Sequence, residues 1–172
     1  MVDLDDVGPS LPGIARQAIQ AHLSGERLVV SRPDAPAAPV FVTLRNPDGS
    51  LRGCIGSLVA AEPDVTQETA RSAVLAATRD PRFPSVMPEE LPGLHVEVSV
   101  LMPDEPVSSI TELDPARYGV VVRDRFGRRG LLLPDVPGVD DATMQVEIAR
   151  RKAGIEAGTP VTLRRFEVKK FE

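Results

Sequence analysis

Hydrophobic and polar positions alternate most cleanly between Leu94 and Met102. Leu94, Val96, Val98 and Val100 fall on one face, and His95, Glu97 and Ser99 on the other. A period of two predicts a half-buried strand. Val40 to Arg45 reads as a second strand. Asn46-Pro47-Asp48-Gly49 follows as a turn, with Pro presetting φ and Gly accepting the left-handed position. The chain then returns from Leu51 to Leu58, which makes a hairpin. Two helices precede and follow these strands. Ser10 is placed to cap one that runs to about residue 24, with Pro12 in its first turn and Ser24-Gly25 stopping it. Asp64 and Gln67 form a capping-box-like start for another, over about 65–79, with Ala70, Ala73, Val74 and Ala77 as its expected apolar side. Arg32 to Pro39 is a proline-rich loop.

The later chain repeats the mixture. Tyr118 to Arg123 and Gly130 to Leu133 read as strands buried on both faces, joined by the basic turn Asp124 to Arg129. Residues 140–153 read as a helix ended by Gly154, and Pro160 to Phe171 as a final strand region. Hairpins mixed with helices, without regular βα alternation, predict an α+β fold: a mixed or antiparallel sheet with flanking helices. The 172 residues suit one domain over 1–172, with residues 1–10 left as a flexible lead-in.

Composition narrows the function. Aromatics are 3% with no Trp, so Val, Leu, Ile and Ala must build the core. One cysteine excludes an internal disulfide, and two histidines with one cysteine exclude the usual structural zinc site. No metal or cofactor is expected. No apolar run approaches the ~20 residues of a spanning helix. The start Met1-Val2-Asp3-Leu4-Asp5-Asp6 lacks a signal peptide's positive residues, so a cytoplasmic protein with no membrane partner is expected. Net charge is −5, but residues 1–115 carry −9 and residues 116–172 carry +4. Acidity and scarce aromatics argue against nucleic acid.

The candidate chemistry centres on Cys54, in Leu51-Arg52-Gly53-Cys54-Ile55-Gly56. Gly53 and Gly56 allow close backbone approach or positive φ, and Arg52 is expected to favour a thiolate. A buried, inert cysteine is the competing reading. Asp80-Pro81-Arg82-Phe83-Pro84 is a stiff loop that holds opposite charges close together. Glu97, on the polar side of an apolar strand, is expected to pair with Arg52 or Arg82 or to act as a base. His95 points the same way as Glu97 and is read either as a base toward Cys54 or as an exposed edge histidine; Ser99 either orients Glu97 or satisfies a backbone group. His95-x-Glu97 superficially resembles a zinc deaminase motif, but no cysteine pair follows. The expected site is therefore Cys54, Glu97 and His95 for catalysis, with Arg52, Gly53, Gly56, Arg82, Ser99 and Tyr118 binding substrate.

Five segments in order resemble the AMMECR-type domain family, named for the AMME chromosomal region. They are Leu51 to Gly56, Asp80 to Phe83, Val96 to Leu101, Gly130 to Pro134, and Lys152-Ala153-Gly154. With the segments around them, the resemblance covers about residues 11–171. It implies an α+β fold with a larger and a smaller sub-lobe. It also implies association of bacterial and archaeal members with a Memo-like relative of extradiol dioxygenases and a radical S-adenosylmethionine protein. Tyr118 stands where the family commonly has histidine, and Asp135 where it commonly has glutamine. The function expected from residues and resemblance together is a cysteine-dependent enzyme acting on a small molecule or modified amino acid. The alternative is a non-catalytic substrate-binding or interaction module for the same partners.

Overall fold

The computed structural model describes residues 3–172, and the chain divides into two compact units: Met1–Leu101 with Lys169–Glu172, and Met102–Val168. The first unit carries helices α1 (Leu4–Val7), α2 (Leu11–Leu23) and α3 (Val65–Thr78) and strands β1 (Val40–Arg45), β2 (Leu51–Gly56) and β3 (His95–Leu101). The second carries β4 (Glu105–Val107), β5 (Gly119–Asp124), β6 (Arg129–Leu132), α4 (Ala142–Lys152) and β7 (Val161–Phe166). The last strand, β8 (Val168–Phe171), returns to the first sheet, whose order is β2-β1-β3-β8. The second sheet runs β4-β7-β5-β6. This is the α+β fold expected from the sequence, with a larger and a smaller unit.

In the first unit, β1 pairs antiparallel with both β2 and β3. Gly49 takes the positive φ its turn requires, at 84°. Val40, Val42, Leu44, Val96, Val98 and Val100 are buried on one sheet face, and α2 and α3 pack together in the same unit. Alternation therefore places Phe41, Thr43, Arg45, Cys54, His95, Glu97 and Ser99 on the other face. The Asp64 side chain accepts from the Thr66 and Gln67 amides at the start of α3, as its sequence predicts. Ser10 does not cap α2: its hydroxyl donates to the Val7 carbonyl, because a short helical lead-in replaces the free N-terminus. Residues 4–10, which the sequence reading leaves as a flexible lead-in, form α1 and a 3-10 turn, with Leu4 and Val7 buried.

The inward face of α3 is rotated from the expected one. Thr66, Glu68, Thr69 and Ser72 are buried beside Ala73, Ala76 and Ala77, whereas Ala70 and Val74 are only half-buried. In the second unit, Val120, Val122, Leu132, Val146, Ala149 and Ile155 form the core. The run Pro160 to Phe171, expected as one strand region, is two strands in different sheets. The break falls at exposed Glu167.

Candidate functional site

Cys54 lies on β2, half-buried. Its register partner on β1 is Thr43, whose own partner on β3 is Glu97. The three side chains form one row across the polar face. The Thr43 hydroxyl and the Cys54 sulfur are 3.3 Å apart and hydrogen-bonded. Glu97 is two strand spacings from Cys54, about 10 Å. It is therefore on the same face as the thiol but not in contact with it.

The backbone N–H of Cys54 donates to Asp80 Oδ2 at 2.9 Å. Asp80 also accepts from the Arg82 amide and Nε, each at 3.0 Å, and from Arg82 Nη2 at 2.7 Å. The loop thus holds its opposite charges together as its sequence suggests. Asp80 is buried, with 2% of its side chain exposed, while the Arg82 side chain is 54% exposed. A buried carboxylate consequently anchors a cation that remains open to ligand. The Arg82 hydrogen bond, reinforced by the two backbone donors, holds the Asp80 carboxyl well below the ordinary carboxylate range. Asp80 in turn raises Arg82, and the nearby Cys54 sulfur adds to that effect.

Arg52 does not serve the thiol. The β1–β2 register shifts between Leu44 and Arg45, where Leu44 faces Gly53 and Arg45 faces Leu51. Arg52 is the extra residue of this irregularity, and a bulge re-aims its side chain. Its guanidinium binds Glu90 through Nε at 2.9 Å and Nη2 at 3.1 Å, and donates from Nη1 to the Pro84 carbonyl at 2.9 Å. It is a buried cation with a bidentate partner. The expected pairing of Glu97 with Arg52 or Arg82 is likewise not formed, since both arginines hold other carboxylates. Glu97 accepts from the Ser99 hydroxyl at 3.3 Å, so Ser99 does orient it.

His95 is exposed and faces Arg45, one row along from Thr43. That displacement puts it farther from Cys54 than Glu97, too far to take the thiol proton directly. The two glycines are explained by packing. A Cβ on Gly53 would collide with the Ala76 carbonyl of α3, and one on Gly56 with Phe41 and the Val40 carbonyl. Tyr118 belongs to the second unit. The Arg165 guanidinium lies over its ring, 4.3 Å from the ring centre, and so does that of Arg117, at 4.9 Å. These three, with Glu105 and Glu167, line a cavity of ≈ 240 Å³.

Sequence reasoning missed Thr43 and the role of Asp80 as the link between Cys54 and Arg82. The signal for Thr43 was a single hydroxyl residue in an apolar strand directly opposite the thiol. No group of three or more His, Cys, Asp or Glu side chains placed to hold a metal occurs among the described residues. No helix among them is long and apolar enough to cross a membrane.

This fold has counterparts among known proteins. The family model for AMMECR1 matches residues 12–171, and the chain belongs to that family. A protein of Thermotoga maritima is 50% identical over 136 residues, covering 78% of each chain. One from Clostridium acetobutylicum is 37% identical over 164 residues, which are 90% of this chain but only 34% of that longer protein. The crystal structure of an uncharacterised protein from Pyrococcus horikoshii superposes with a TM-score of 0.82 at 30% identity, covering 96% of this chain and 90% of that one.

Proposed function

We propose that the protein is a cysteine-dependent enzyme acting on a small molecule or modified amino acid that carries an anionic group. Cys54 is the nucleophile and Arg82 holds the anion. The observation that carries this reading is the buried Asp80 carboxylate. It grips the backbone of the nucleophile and the guanidinium of an open arginine at once. A fixed cation beside a half-exposed thiol is the microenvironment in which reactive cysteines occur, and fixing it beforehand removes an ordering cost at binding. Glu97, oriented by Ser99, contacts substrate rather than the sulfur. We take the reaction to be cytoplasmic, with a Memo-like dioxygenase relative and a radical S-adenosylmethionine protein as the partners the family resemblance implies.

A binding module for those partners is the second reading, and a specific observation favours it. The group hydrogen-bonded to the Cys54 sulfur is a threonine hydroxyl, which is not a base. The Clostridium relative, with about two thirds of its length outside the match, supports a domain that works beside others. Incubation with a small-molecule extract of the host cells, followed by mass spectrometry, separates the two. The enzyme depletes a component, and Cys54→Ser binds it without depletion. A module binds it equally in both forms and depletes nothing.

A further inference from the structure

At the end of the first sheet, where β1 leaves and β3 enters, a cavity of ≈ 460 Å³ is lined by Arg16, Arg45, His95, Glu97 and Glu172. Its charges are of both signs and are not satisfied by one another. Arg16 donates from Nη1 to the Leu91 carbonyl at 2.6 Å and from Nη2 to that of Leu94. Arg45 donates from Nη1 to the Gly49 carbonyl at 3.3 Å. Among the described residues neither guanidinium has a carboxylate within ion-pair distance, and each keeps further N–H donors. Among the described residues Glu97 accepts only the Ser99 hydroxyl. Arg45 and Glu97 lie on the same face and are diagonal neighbours across β1 and β3. Such positions are ~7–8 Å apart, within reach of long side chains, yet the two do not pair. The carbonyls on Arg16 and Arg45 hold the cations at the wall without neutralising them.

We propose that this cavity binds the zwitterionic head of a free amino acid or an amino-acid-like metabolite. Arg45 and Arg16 take its α-carboxylate and Glu97 its ammonium group, so the anion that Arg82 holds is a second one, on the remainder of the molecule. A ligand of one sign fits less well: a phosphate would gain the guanidiniums but face Glu97 and Glu172, and a polyamine would face the arginines. A zwitterion satisfies both sets of charges with hydrogen bonds to ionised groups, the stronger kind. The inference rests on the enzymatic reading above in assigning the cavity to substrate. Glu97 shares a row with Thr43 and Cys54, so a ligand seated by its head can extend its remainder along that row toward the thiol.

The test is calorimetry or thermal shift with each of the common free L-amino acids at up to about 10 mM, then with the N-acetyl and carboxamide forms of any that bind. At least one free amino acid is expected to bind, and blocking either end should weaken it at least about tenfold, the loss of one bond to a charged group. In Glu97→Gln the N-acetyl form should lose that disadvantage, and in Arg45→Gln the carboxamide form should. Two outcomes overturn the inference: no free amino acid binds, or blocked and free forms bind alike. Binding of inorganic phosphate in place of amino acids would also overturn it. Amino-acid binding without Cys54-dependent depletion would keep this site and remove the enzymatic reading. Depletion without amino-acid binding would do the reverse.

Discussion

Replacing Asp80 tests whether one buried carboxylate holds the thiol strand and the arginine together. Asp80→Ala removes the acceptor of the Cys54 and Arg82 amides and of two guanidinium donors. Leaving a partly buried N–H without an acceptor costs about 1–3 kcal/mol. The freed Arg82 charge is more than half exposed, so water resolvates it and it adds little. The expected loss is about 2–4 kcal/mol, within the range of a broken buried network. Asp80→Asn keeps one acceptor oxygen but loses the charge, and should lose about 1–2 kcal/mol. Urea melts measure both, with an unchanged slope showing that the folded and unfolded states keep their compactness. The pH dependence has a definite sign. The folded carboxyl ionises below its ordinary value, so its stabilisation is fully present above the unfolded pKa of ~4 and is lost as pH falls toward the folded value. Wild-type stability should fall faster than that of Asp80→Asn as pH drops below ~4. A loss within about 0.5 kcal/mol for Asp80→Ala would place Asp80 among ordinary surface residues and refute the reasoning.

Two further outcomes follow from the same geometry. Arg52→Gln should destabilise by about 2–3 kcal/mol by removing a buried bidentate pair, discounted because Glu90 is partly solvated, and Arg52→Lys should rescue little of it because a lysine cannot fork; urea melts check both. Gly53→Ala should cost at least about 1–3 kcal/mol, since the collision is with helix backbone that no rotamer change relieves; a thermal melt matching wild type would contradict the packing described.

Local chemistry made much of this fold readable from sequence. The Asn46 to Gly49 turn, the Asp64 cap and the period-two run of β3 each specify structure within a few residues. What escaped depends on partners far along the chain. Arg52 and Glu90 are 38 residues apart, and only a shift in strand register aims one at the other. Their pairing overturned the expectation that Arg52 serves Cys54. The face of α3 was misjudged because buried Thr66, Glu68, Thr69 and Ser72 look like solvent-facing residues until their burial is seen. The division of the last segment between two sheets carries no glycine or proline signal, since the residue at the break is Glu167. Within the candidate site, Asp80 and Arg82 were legible as a pair. Their attachment to Cys54 was not, because it runs through a backbone amide that any residue would supply.

The central claim is that Arg82 presents a cation to whatever approaches Cys54. The most direct measurement is the ratio of alkylation rates with iodoacetate, an anion, and iodoacetamide, its neutral analogue, followed by mass shift at this single cysteine. Both reagents need the same sulfur, so the ratio isolates attraction of the anion. A unit charge a few Å away is worth about 1 kcal/mol even in water, roughly a fivefold change. The ratio should therefore fall about fivefold in Arg82→Gln, and the wild-type advantage should shrink as salt is raised. A ratio unchanged by Arg82→Gln would contradict the account.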